Sequence, residues 1–78
     1  MILRELLAEY AHKAWAGWMR YLFTKGKFTA DGGFYIFPDS VERWLRQINT
    51  TYLELPENEK DSDRKEADEM LAIMEGKI

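Results

Sequence analysis

Leu3, Leu7, Tyr10, Ala14, Trp18 and Tyr21 recur at steps of three and four, which places them on one stripe of a helix. Ala11, Trp15 and Leu22 widen that stripe, and Glu9, Lys13, Ala16 and Arg20 fall on the opposite, wetter side. The spacing predicts a helix from about Ile2 to about Phe23, closed by Thr24-Lys25-Gly26 with Gly26 as a left-handed C-terminal cap. One such helix takes more than a quarter of a 78-residue chain and fixes the length of everything that must pack along it. The chain is read as a single domain, 1–78, with one core. It has no cysteine, so neither a disulfide nor thiolate-bound zinc can supplement that core. Packing must supply the stability, and 46% hydrophobic and 14% aromatic residues give it material.

Between Lys27 and Pro38 the pattern changes. Phe28, Phe34, Tyr35, Ile36 and Phe37 surround Asp31-Gly32-Gly33, a turn signal between two β-prone pieces. A second helix begins near Asp39 or Ser40, either of which suits an N-cap. Val41, Trp44, Leu45 and Ile48 form its inward stripe, Glu42, Arg43, Arg46 and Gln47 face other ways, and Asn49-Thr50-Thr51 closes it. A third helix starts at Pro56, whose fixed φ suits a first helical position, with Glu57 and Glu59 near the positive end of its dipole. Ala67, Met70, Leu71 and Met74 form its apolar stripe and Gly76 stops it. Extending that stripe backwards brings Lys60, Asp63 and Arg64 onto the same face. The fold class expected is mainly α: three helices, with a short β-hairpin or aromatic loop between the first and second.

Charge is distributed unevenly. From Glu54 to Glu69 eight acids stand against three bases, a balance of -5, whereas the remainder carries six acids and eight bases, a balance of +2. Extended nucleic-acid binding needs a continuous basic face and is not expected. A small anion held by a few arginines fits the composition better. The N-terminus lacks the basic start, apolar run and cleavage site of a signal peptide. No charge-free stretch approaches the roughly 20 residues that cross a bilayer. The expectation is a soluble, cytoplasmic protein with no membrane association.

His12 is the sole histidine, and with Glu5 and Glu9 as its acidic neighbours it does not define a metal site. No nucleophile elbow, phosphate-cradling glycine loop or second histidine accompanies it. The chain is read as non-enzymatic, with no catalytic residues, metal or cofactor.

Tyr52-Leu53-Glu54-Leu55-Pro56-Glu57, followed by Lys60 and Asp63-Arg64, resembles the closing segment of the ryanodine-receptor-type repeat domain, which also occurs in small bacterial and phage proteins. Ala11-His12-Lys13-Ala14-Trp15 is similar to that family's His-x-x-Trp element, which is followed by an aromatic and glycine-containing loop, as Gly32-Gly33-Phe34-Tyr35 is here. The resemblance implies a small helical unit with a short β element and no established enzymatic activity. It also implies a nucleotide-derived ligand, the class that some bacterial relatives are thought to sense.

Two functions follow from these residues. In the first, the protein binds or sequesters a nucleotide-derived small molecule through Tyr10, His12, Trp15, Tyr35, Arg43, Tyr52 and Arg64. Rings stack on a flat base and arginines take a phosphate. In the alternative, it is a protein-interaction module or inhibitor whose acidic third helix docks on a basic partner. A homodimer is compatible with either, because a short chain gains core by pairing.

Overall fold

A computed structural model of the protein describes residues 2–76. Helix α1 (Leu3–Leu22) is followed by strands β1 (Gly26–Phe28) and β2 (Phe34–Ile36), helix α2 (Pro38–Ile48), a 3-10 turn (Tyr52–Glu54) and helix α3 (Glu57–Met74). This is the expected mainly α architecture, with a two-stranded antiparallel hairpin between the first two helices. No helix among the described residues is long and apolar enough to cross a membrane. The contacts separate into two units, Met1–Ala16 with Pro56–Ile78, and Gly17–Leu55.

In the first unit the half-buried positions of α1 are Leu6, Leu7, Tyr10, Ala14 and Ala16; Leu7, Tyr10 and Ala14 keep the spacing of three and four that an inward face requires, and Ala16, read as part of the wetter side, is half-buried too. Ile73 of α3 is buried, 6% exposed, and Ala72 and Glu66 are half-buried. The stripe read as inward on this helix, Ala67, Met70, Leu71 and Met74, is instead exposed. Glu66 displaces it because its carboxylate accepts a hydrogen bond from the Tyr10 hydroxyl of α1, fixing a polar residue on the packed side. Pro56 stands one position earlier than expected, at the N-cap, with its carbonyl accepting from the amides of Glu59 and Lys60 at 3.0 Å. Gly76, at φ +73°, ends α3.

The second unit is organised by the hairpin. Gly26 pairs with Ile36, Lys27 with Tyr35 and Phe28 with Phe34. The turn is built as its sequence suggests: the Asp31 carboxylate accepts from the Thr29 hydroxyl and from the Gly33 amide, the latter at 3.2 Å, and Gly32 supplies φ +90°. Phe23, Phe28 and Phe34 close on one another with ring centroids 5.0–5.6 Å apart. Gly26 is not the left-handed helix cap expected; it opens β1, and a Cβ there would lie 1.9 Å from the Tyr35 carbonyl oxygen. The residue is glycine because the partner strand's backbone comes too close for a side chain.

Helix α2 begins differently from its sequence reading. Phe37, extended at φ -62° and ψ 142°, is the N-cap and makes no side-chain cap bond, and Pro38 takes the first helical position. Ser40 does not cap; it is 1% exposed and its hydroxyl has no partner among the described residues. Ser40, Arg43, Trp44 and Gln47 are the buried and half-buried positions of the helix, whereas Val41, Leu45 and Ile48 are exposed. Of the four residues read as the inward stripe, only Trp44 is partly covered. It lies at the border with the Ser40 flank, and that flank is the one that packs. Asn49 Nδ2 and Thr50 Oγ1 close α2 on the carbonyls of Leu45 and Arg46, at 2.8 and 2.6 Å.

Candidate functional site

The second unit brings together two cations and three aromatic rings. Tyr21 lies in the last turn of α1, and its ring meets Trp18 edge-on at 6.2 Å and Trp44 of α2 at 6.4 Å. Arg43 Nη2 donates to the Tyr21 hydroxyl at 3.1 Å, and its guanidinium carbon lies 5.9 Å from the Trp44 ring centroid. Lys25 places Nζ 5.1 Å from the Tyr21 ring centroid. Each cation is therefore held against a π-face while Trp18 and Tyr21 stay exposed.

Local structure explains this convergence. Trp18 and Tyr21 are three apart on α1 and share a face. Lys25 returns over Tyr21 because the chain turns after the helix, the Lys25 amide donating to the Leu22 carbonyl at 2.9 Å. Arg43 and Trp44 are consecutive on α2, so one half-turn presents both a charge and a ring. This unit holds five basic and four acidic residues. A local positive excess beside exposed rings suits a flat molecule that carries negative charge.

Of the residues expected from the sequence to contact a ligand, Arg43 belongs to this patch. Tyr35 and Tyr52 belong to the same unit; Tyr35 is exposed on β2, edge-on to Phe37 at 6.2 Å, and Tyr52 opens the 3-10 turn. Tyr10, His12, Trp15 and Arg64 lie in the first unit. There His12 stacks on Trp15, centroids 5.9 Å apart, and both are exposed. Tyr10 is engaged with Glu66; the hydrogen bond to that carboxylate, followed by partial burial and the nearby charges of Glu66 and Glu69, pushes its hydroxyl up to about 12. Arg64 Nη1 donates to Glu57 at 2.9 Å and Asp61 at 2.8 Å along its own helix. The Arg64 hydrogen bond and charge, with Lys60 adding to them, hold the Glu57 carboxyl below its ordinary value.

The sequence pattern put Trp18 and Tyr21 on the apolar stripe of the first helix and Trp44 on that of the second, and did not single out Lys25. The recoverable signal was Tyr21-x-x-x-Lys25 next to Trp18-x-x-Tyr21, a ring with neighbours at three and four residues. Among the described residues no group of three or more His, Asp or Glu side chains is arranged to hold a metal ion. Comparisons of the chain with protein-family models, with curated proteins and with solved structures found no match.

Proposed function

We propose that this is a small non-enzymatic binding protein that holds a nucleotide-derived small molecule on the Trp18–Tyr21–Arg43–Trp44 patch. The observation carrying this reading is that Arg43 and Lys25 are both anchored on rings whose neighbours remain exposed. A base stacks on Trp18 or Tyr21, and a phosphate takes hydrogen bonds from the guanidinium and ammonium at the patch edge. The likeness of the Tyr52–Arg64 and His12-x-x-Trp15 segments to the ryanodine-receptor-type repeat domain points to the same ligand class.

Calorimetric titration with a panel of mono-, di- and cyclic nucleotides tests the reading. Binding by at least one nucleotide is expected, weakened about 10- to 100-fold in Arg43→Ala, the scale of one lost charge-assisted hydrogen bond. Absent heats across the panel would refute it.

A second reading is a protein-interaction module. It is favoured by α3, where Met70, Leu71 and Met74 are exposed along a helix that also exposes Asp61, Asp63, Asp68 and Glu69. A basic partner captured equally well after charge reversal at Glu57, Asp61 and Asp68 would remove it.

A further inference from the structure

Helix α2 turns its most apolar stripe outward. Val41, Leu45 and Ile48 are 37%, 55% and 76% exposed, and the following turn leaves Tyr52 43% and Leu53 80% exposed. On a helical wheel Val41, Leu45 and Ile48 fall within about 60° of one another. One flank of that stripe, Ser40, Trp44 and Gln47, is the side that packs within the unit. The other flank, Pro38, Glu42, Arg46 and Asn49, is exposed throughout.

We infer that this face pairs with the same face of a second copy of the chain, the two α2 helices running antiparallel about a two-fold axis at Leu45. The order of residues is self-complementary in that arrangement and not in a parallel one. Val41 meets the partner's Ile48, Leu45 meets the partner's Leu45, and the larger β-branched residue at one end fits the smaller one at the other. A two-fold axis perpendicular to both helices keeps equivalent flanks on one side. Glu42 therefore approaches the partner's Arg46, and Arg46 the partner's Glu42, so each acid meets a base twice over. Parallel pairing, about an axis along the helices, would put equivalent flanks on opposite sides, so the Glu42–Arg46 flank of one copy would face the Ser40–Gln47 flank of the other and neither charge would meet its opposite.

The area is sufficient. At about 150–200 Å² for a fully covered large side chain, covering the five exposed apolar residues removes about 500 Å² per copy and about 1,000 Å² in all. That reaches the threshold of a specific interface before the polar flank is counted. The rings and cations proposed to hold a ligand are not part of this face, so the inference stands apart from that reading.

Light scattering over a dilution series should show a dimer that dissociates on dilution. Leu45→Glu should raise its dissociation constant by about tenfold or more, with the circular dichroism spectrum unchanged because the residue is exposed. Glu42→Arg and Arg46→Glu each place like charges across the axis, so each variant alone should be chiefly monomeric while an equimolar mixture of the two restores the dimer. The native chain has no cysteine, so V41C and I48C copies, mixed and oxidised, should cross-link to each other in preference to V41C with itself. A native chain that stays monomeric at every concentration, a variant mixture no more dimeric than its components, or preferential V41C self-linking would each overturn the inference.

Discussion

Gly26→Ala should destabilise the protein, while Gly17→Ala, the same change nine residues earlier, should stabilise it. Gly26 does not need a left-handed backbone, since among the described residues only Gly32 and Gly76 have positive φ. The cost is therefore purely steric. An added methyl carbon would sit 1.9 Å from the Tyr35 carbonyl oxygen, 2.7 Å from Phe34 Cε2 and 2.8 Å from the Tyr35 carbonyl carbon. Two of those atoms are backbone, so relief requires the strands to part rather than a side chain to swing. The pairing has only three residue pairs to lose, and Phe28 and Phe34 of the ring cluster are one of them. Overpacking of this kind costs typically 1–3 kcal/mol, and a backbone clash belongs at the upper end, about 3 kcal/mol. Alanine recovers roughly 0.4–1 kcal/mol by restricting the unfolded chain, leaving about 2 kcal/mol of net loss. At about 4–8 °C per kcal/mol for a domain of this size, the midpoint should fall by about 8–16 °C. Gly17 lies inside α1 with nothing within 4 Å of the added carbon, so Gly17→Ala gains only helix propensity. That is about 0.5–1 kcal/mol, a rise of about 2–8 °C. Thermal denaturation followed by circular dichroism at 222 nm, the helical minimum, reads both variants. A Gly26→Ala midpoint at or above that of the native chain would refute the close approach of the two strands.

Two further outcomes follow from polar contacts. The folded chain holds the Tyr10 proton more tightly than the unfolded chain, so this stabilisation is complete below the ordinary value of 10.0 and is lost as pH rises through about 12. Urea unfolding across that range should show Tyr10→Phe losing less stability with pH than the native chain, and parallel curves would count against the Glu66 contact. Ser40→Ala removes a buried hydroxyl without a partner and should raise stability by about 1 kcal/mol; a lower midpoint in thermal denaturation would mean that the hydroxyl is satisfied.

The residues that announced themselves in the sequence are those whose signal is local. Asp31-Gly32-Gly33 encodes the turn because the carboxylate, the amide it accepts from and the residue with positive φ are contiguous. Gly76 encodes the end of α3 for the same reason. Periodicity also identified Val41, Leu45 and Ile48 as one stripe of α2, yet it could not say which side of the helix the rest of the unit covers. That choice is made by Trp44 and Ser40 through tertiary packing. Gly26 was read as a helix cap, and the close approach that does account for it depends on a backbone atom of Tyr35, nine residues away. Arg43 was legible as a cation beside a ring, whereas Lys25 joins the patch only through the turn after α1.

The hairpin turn bears on how the chain ages. An aspartate followed by glycine is among the dipeptides prone to cyclise, the glycine nitrogen attacking the side-chain carboxyl to give a succinimide that reopens largely as isoaspartate. Here both reactants are occupied. The Asp31 carboxylate accepts from the Thr29 hydroxyl and the Gly33 amide, which hold it below its ordinary value, and the Gly32 N–H donates to the Thr29 carbonyl at 3.1 Å. Cyclisation at Asp31 therefore requires both sets of contacts to open, which ties this chemistry to excursions from the folded hairpin.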